Sequence, residues 1–75
     1  MTDLLIRVTG HAGQITLNRP DALNALTWDM LRGITTALDS WRDDPAVALV
    51  IIDGAGDRAF CSGGDIAEIY ASGLR

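Results

Sequence analysis

"VALVIIDGAGDRAFCSGGD", Val47 to Asp65, passes from an unbroken apolar run into a loop of small residues, and its reading decides the fold. Val47 to Ile52 is apolar at every position rather than at alternate ones. That is the pattern of a strand covered on both faces, the usual state of a parallel strand between helices. Upstream, Leu31, Ile34, Leu38 and Trp41 recur at helical spacing, with Asp29, Arg32, Asp39 and Arg42 off that stripe. Thr27 suits the N-cap and Asp29 the positive end of the helix dipole. Asp43-Asp44-Pro45 should end the helix, because the residue before a proline is pushed out of the α region, and the two aspartates read as solvated loop. Strand, helix and strand in this order predict a parallel pair joined by a right-handed crossover. A ligand is then expected beyond the carboxyl end of the second strand, where Gly54 to Asp65 lies.

Before the helix, "LLIRVTG" (4–10) and "QITLNR" (14–19) read as strands of a hairpin around "HAGQ" (11–14). Pro20 ends the second strand because it has no N–H for the ladder. "DALNAL", Asp21 to Leu26, follows as a loop or single turn. The predicted class is α/β: an N-terminal β-hairpin, a helix and a buried strand.

The 75 residues carry a formal charge of -4, and the six arginines at 7, 19, 32, 42, 58 and 75 are scattered, with no lysine. No basic face exists to offset phosphate charge, so nucleic acid is excluded as a partner. No apolar run approaches the roughly 20 residues that span a bilayer, and no basic segment precedes an apolar one near Met1. A cytoplasmic, reducing location is expected, without membrane contact. One cysteine cannot form an internal disulfide, and one cysteine with one histidine makes no metal site. A chain this short buries only about 60% of its unfolded surface, so stability on its own is expected to be marginal. A hydrophobic content of 48% nevertheless excludes a disordered tail.

Three chemistries compete for the small residues Cys61-Ser62-Gly63-Gly64. A nucleotide loop needs G-x-x-x-x-G-K-[ST] or a G-x-G-x-x-G that opens a helix, and Gly54 and Gly56 fit neither spacing. A Cys61 nucleophile needs an activating base, and His11 sits in the hairpin turn, so Cys61 reads as a small buried hydrophobe. Asp65 and Glu68 have N-cap to N3 spacing, which satisfies first-turn amides and accounts for both without catalysis. The glycines before such a cap would lie at the positive end of a helix dipole, with bare N–H groups able to hold an oxyanion. Spacing alone fits that reading and a plain glycine turn equally well.

"ITLNRPDALNAL" (15–26) and "VALVIIDGAGDRAFCSGGDI" (47–66), separated by one helix, resemble the crotonase, or enoyl-CoA hydratase/isomerase, superfamily. The Gly-Gly-Asp of "GDRAFCSGGDI" resembles the branch that hydrolyses 3-hydroxyisobutyryl-CoA in valine breakdown, whereas hydratases more often show Ala-Gly-Ala-Asp. The resemblance implies a ββα spiral fold, here incomplete, with 1–75 as the N-terminal part of one domain. It implies an acyl-CoA substrate, with no prosthetic group or metal and coenzyme A present only as part of that substrate. The backbone N–H of Gly64 would form half of an oxyanion hole. Ala22, Leu23, Ala25, Ser62, Gly63, Gly64, Asp65 and Ile66 would lie along the CoA thioester, mostly through backbone groups. The second oxyanion donor and the catalytic carboxylates would lie downstream, and a homo-oligomer of the complete protein is the expected assembly. Two other readings share these residues: an enoyl-CoA hydratase/isomerase, and a non-catalytic acyl-CoA-binding chain.

Overall fold

In the computed structural model of the chain, residues 2–64 are described. The elements are β1 (Leu4–Thr9), β2 (Ala12–Leu17), a short 3-10 turn (Pro20–Ala22), α1 (Trp28–Arg42) and β3 (Leu49–Gly54). The expected helix at Asp65 lies outside the described residues.

The hairpin turn is tighter than "HAGQ" suggested, because only Gly10 and His11 lie between the strands. Gly10 takes φ 60° while His11 stays at negative φ, the glycine-first arrangement whose twist matches that of paired strands. Ala12 and Gly13 therefore belong to β2, opposite Thr9 and Val8. β2 is central: antiparallel to β1, from Leu4↔Leu17 to Thr9↔Ala12, and parallel to β3, from Ala12↔Leu49 to Leu17↔Gly54. α1 supplies the crossover that parallel pairing requires.

His11 does more than occupy a turn. Its carbonyl accepts the Ala48 N–H at 2.8 Å, and its ring Nδ1 lies 3.1 Å from the Ala46 carbonyl. The turn thus holds the chain where it enters β3.

Thr27 caps α1 as expected, its hydroxyl accepting the Met30 N–H at 3.1 Å. Arg32 pairs with Asp29 and Arg42 with Asp39 on the solvent side, contacts worth at most about 1 kcal/mol each at such exposure. The helix stops at Arg42, ahead of Pro45. Asp44 is exposed yet not idle, because its Oδ1 accepts the Ala46 N–H at 2.9 Å and turns the chain toward β3.

The stripe facing the sheet differs from the predicted one. Met30 and Ala37 are buried and Ile34 and Trp41 half-buried, whereas Leu31 and Leu38 stand 38% and 40% exposed. The cause is small residues, which periodicity does not count. A Cβ at Gly33 would come within 2.7 Å of Leu4 Cδ1, and one at Gly13 within 2.5 Å of the Trp41 ring. The helix therefore approaches β1 and β2 along the line of its smallest side chains.

Alternation along the paired strands then places Ile6, Ile15, Leu17, Val50 and Ile52 on the face that α1 covers. The opposite face carries a polar row: Arg7 donates to the Thr16 hydroxyl at 3.3 Å, and that hydroxyl donates to Asp53 at 2.5 Å. The apolar core among the described residues is Ile15, Leu17, Met30 and Ala37.

β3 is parallel as predicted but not buried. Leu49, Val50, Ile51 and Ile52 are 39–52% exposed. The only described helix lies over β1 and β2, and β3 is the edge strand of the described sheet. Unpaired apolar edges promote association, and a core this small rarely supplies more than about 3–5 kcal/mol. The 75-residue chain alone is therefore expected to melt broadly and to self-associate. Analytical sizing beside a thermal melt checks this, and a sharp cooperative melt of a monomer would contradict it.

Candidate functional site

The site is built where two loops meet at the carboxyl ends of β2 and β3. The first, Arg19 to Leu26, is folded on itself by backbone bonds from Ala22 and Asn24 N–H to the Arg19 carbonyl, and from Leu23 N–H to that of Pro20. Arg19 Nη1 donates to the Ala25 carbonyl at 2.8 Å. Leu23 and Asn24 both adopt the left-handed conformation, at φ 54° and 56°. Each such non-glycine residue costs about 1–2 kcal/mol, less for asparagine, and strain of this kind persists only where the surroundings over-determine it.

The surroundings here are the second loop, Ala55 to Gly64. Ser62 N–H donates to the Leu23 carbonyl at 3.0 Å, and Leu26 N–H donates to the Gly63 carbonyl at 2.7 Å. Leu26 and Gly64 form a parallel bridge. In that bridge Leu26 is the residue whose N–H is engaged, so the Gly64 N–H is directed to the other side. No described residue accepts a hydrogen bond from the Gly64 N–H. This exposed amide is the one the sequence singled out.

Asn24 joins the loops from inside and was missed in the sequence. It is fully buried, accepts the Arg19 N–H at 2.9 Å, and donates to the Ala55 and Ala59 carbonyls at 2.9 and 2.8 Å. An asparagine in a short loop, where αL conformations are common, is the signal that could have marked it. An open concavity of about 410 Å³ lies beside the second loop, lined by Gly54, Gly56, Asp57, Arg58, Ala59 and Phe60.

Of the eight predicted CoA-contact residues, Leu23, Ser62, Gly63 and Gly64 meet at the junction, with Ala22 and Ala25 in the same first loop. Asp65 and Ile66 lie outside the described residues. The N–H groups of Ala22, Leu23 and Ala25 all donate within the loop. Their carbonyls already accept one bond each, from Ala25 N–H, Ser62 N–H and Arg19 Nη1, so what these three residues have left to offer a ligand is the second lone pair of each carbonyl.

Two expectations are corrected. Gly63, at φ 107°, does not present a free amide, because its N–H donates to Cys61 Sγ at 3.4 Å. Cys61 is half-buried rather than buried, and its sulfur shapes this turn as an acceptor. His11 lies where the chain enters β3 and Cys61 beyond its exit, so a six-residue strand, roughly 17 Å of rise, separates them. A Cys–His pair is not formed.

The family model for enoyl-CoA hydratase/isomerase matches residues 12–75, a span that includes both loops. The chain belongs to this family. It is 51% identical over 72 residues to the mitochondrial 3-hydroxyisobutyryl-CoA hydrolase of Danio rerio, covering 96% of this chain and 19% of that protein. The corresponding enzyme of Homo sapiens is 52% identical over 67 residues, covering 89% and 17%. Among solved structures, an enoyl-CoA hydratase from Rhodobacter sphaeroides 2.4.1 superposes with a TM-score of 0.90 at 56% identity, over 97% of this chain and 22% of that one. A carnitinyl-CoA dehydratase from Mycobacterium thermoresistibile gives 0.89 at 44% identity, over 93% and 21%. The strand order and helix placement are thus those of the crotonase fold, and the family's members act on CoA thioesters. The chain spans about a fifth of the length of these relatives. No helix among the described residues is long and apolar enough to cross a membrane. Both curated relatives are mitochondrial by name, which does not support the cytoplasmic location expected from the sequence.

Proposed function

We propose that the full-length protein carrying this chain hydrolyses an acyl-CoA thioester, with 3-hydroxyisobutyryl-CoA as substrate, to the hydroxy acid and free CoA. The observation that carries this reading is the Gly64 N–H, exposed at the junction of the two loops and bonded to no described residue. As water adds to the thioester carbon, the carbonyl oxygen gains negative charge, and a fixed amide donor there stabilises the transition state more than the ground state. Collapse of that adduct breaks the C–S bond, and the thiolate leaves as CoA after taking a proton. The carboxylates that would move these protons are assigned, by resemblance, to the part of the protein beyond these residues. Along the CoA moiety, Ala22, Leu23 and Ala25 would accept hydrogen bonds, since their own N–H groups are used in the loop. Ser62, Gly63, Asp65 and Ile66 complete the proposed contact set. A homo-oligomeric assembly and a cytoplasmic location belong to the same proposal, to be tested by sizing and by cell fractionation against the mitochondrial alternative.

The curated relatives at about 50% identity favour the hydrolase. The Rhodobacter hydratase at 56% identity favours a second reading, hydration of an enoyl-CoA through the same amide. The full-length protein is expected to release thiol from 3-hydroxyisobutyryl-CoA, followed with a thiol reagent. Hydration of an enoyl-CoA without thiol release would replace the first reading by the second, and inertness toward both substrates would leave a binding role.

A further inference from the structure

We infer that Asn24 is a positioning residue, one that sets the loop carrying the Gly64 amide against the loop proposed to hold CoA. The inference rests on the CoA-thioester reading above and concerns a side chain that this reading does not use. Among the described residues Asn24 alone buries a polar side chain completely. Its three side-chain bonds are divided between the loops: Oδ1 accepts from Arg19 N–H in the first, and Nδ2 donates to the Ala55 and Ala59 carbonyls in the second. Those carbonyls stand 31 and 35 residues further along the chain. The amide therefore fixes a distance that no local bond fixes.

Its backbone contributes as well. With Leu23 and Asn24 both left-handed, the Leu23 carbonyl is aimed at Ser62 N–H, two residues before Gly64. The Nδ2 bonds pin the upstream half of the second loop, and the Ser62 and Leu26 bonds pin its downstream half. Without the first set, the amide at Gly64 is held from one side only. The fold of the first loop does not depend on them, because Arg19 to Ala25 keeps its own backbone bonds and the Arg19 bond to the Ala25 carbonyl. CoA affinity and alignment of the reacting carbonyl should consequently come apart.

The test uses the full-length protein with two substitutions. Asn24→Asp keeps the shape, the tolerance of left-handed backbone and the bond from Arg19, but turns both donations into repulsion between oxygens. Asn24→Gly keeps the backbone and deletes the side chain. Both are assayed for kcat and KM with the acyl-CoA substrate, for the Kd of free CoA by calorimetry, and for Tm. The expected result is a fall in kcat of about tenfold or more in each, with the Kd of CoA within about threefold of wild type. Folded variants with wild-type kcat and a lowered Tm would show an ordinary structural residue and overturn the inference, as would loss of CoA affinity in step with kcat. A wild-type protein that turns over no CoA thioester would instead remove the reading beneath it, and this inference with it.

Discussion

Gly64→Pro in the full-length protein is expected to lower turnover of the CoA thioester by about 10²- to 10³-fold, the typical cost of deleting one oxyanion donor. Proline has no N–H, so the substitution removes the proposed donor itself. What makes the experiment clean is that the donor holds nothing else among the described residues. In the Leu26–Gly64 bridge the bond runs from Leu26 N–H to the Gly63 carbonyl, and Gly64 contributes no described donation. Gly64→Ala retains the N–H and serves as the comparison, and Cys61→Ala, which removes only the sulfur that accepts from Gly63, should keep turnover within a few-fold. CoA binding and circular dichroism must survive in the proline variant. If they do and turnover also survives, Gly64 is not the oxyanion donor.

The second large effect is one of stability. Gly54 closes β3 opposite Leu17, and the following loop doubles back so tightly that a Cβ at Gly54 would overlap the Phe60 carbonyl oxygen. It would also stand 2.8 Å from Asn24 Nδ2 and 3.0 Å from Phe60 Cα. Two of these three obstacles are backbone, which cannot rotate aside as a side chain can, and the third is the amide that links the loops. Gly54→Ala should therefore cost the 1–3 kcal/mol usual for overpacking, about that or somewhat more. It should also displace the Asn24 bonds, so turnover falls in the folded fraction too. A denaturant titration of the full-length variant reads the first effect and kcat the second. An unchanged midpoint would mean that the loop after β3 does not sit over Gly54.

The order of elements was legible because each rested on a local cause: glycine at the hairpin, Thr27 at the helix start, the Asp-Asp-Pro stop and the continuous apolar run of β3. The face of α1 was not, because Gly13 and Gly33 decide it by lacking side chains, and absences do not register in a periodicity. The exposure of β3 was missed for a different reason. Its composition reports the cover it is suited to, and the described residues hold one helix, already spent on β1 and β2. The second site loop was located by the strand order and the first by resemblance, but their mutual contact, from Ser62 to Leu23 and from Leu26 to Gly63, is non-local. The partners of Asn24 were illegible for the same reason: in "ALNAL" it reads as a loop asparagine suited to a left-handed turn, and only the return of Ala55 and Ala59 to its side gives its amide donors their acceptors.

The central place of β2 has a consequence during synthesis. Its partner β1 precedes it directly, so the hairpin can close within about 1–10 μs of leaving the ribosome. Its partner on the other edge begins only at Leu49, 32 residues after Leu17, which at about 5–20 residues per second is a delay of roughly 2–6 s. For that interval the nascent chain carries an open strand edge bearing Ile15 and Leu17, the two residues that later form the middle of the core. Ribosome-bound chains from which Leu17 has emerged but Gly54 has not should therefore be the ones that chaperones hold most tightly, and binding should fall once Gly54 has emerged.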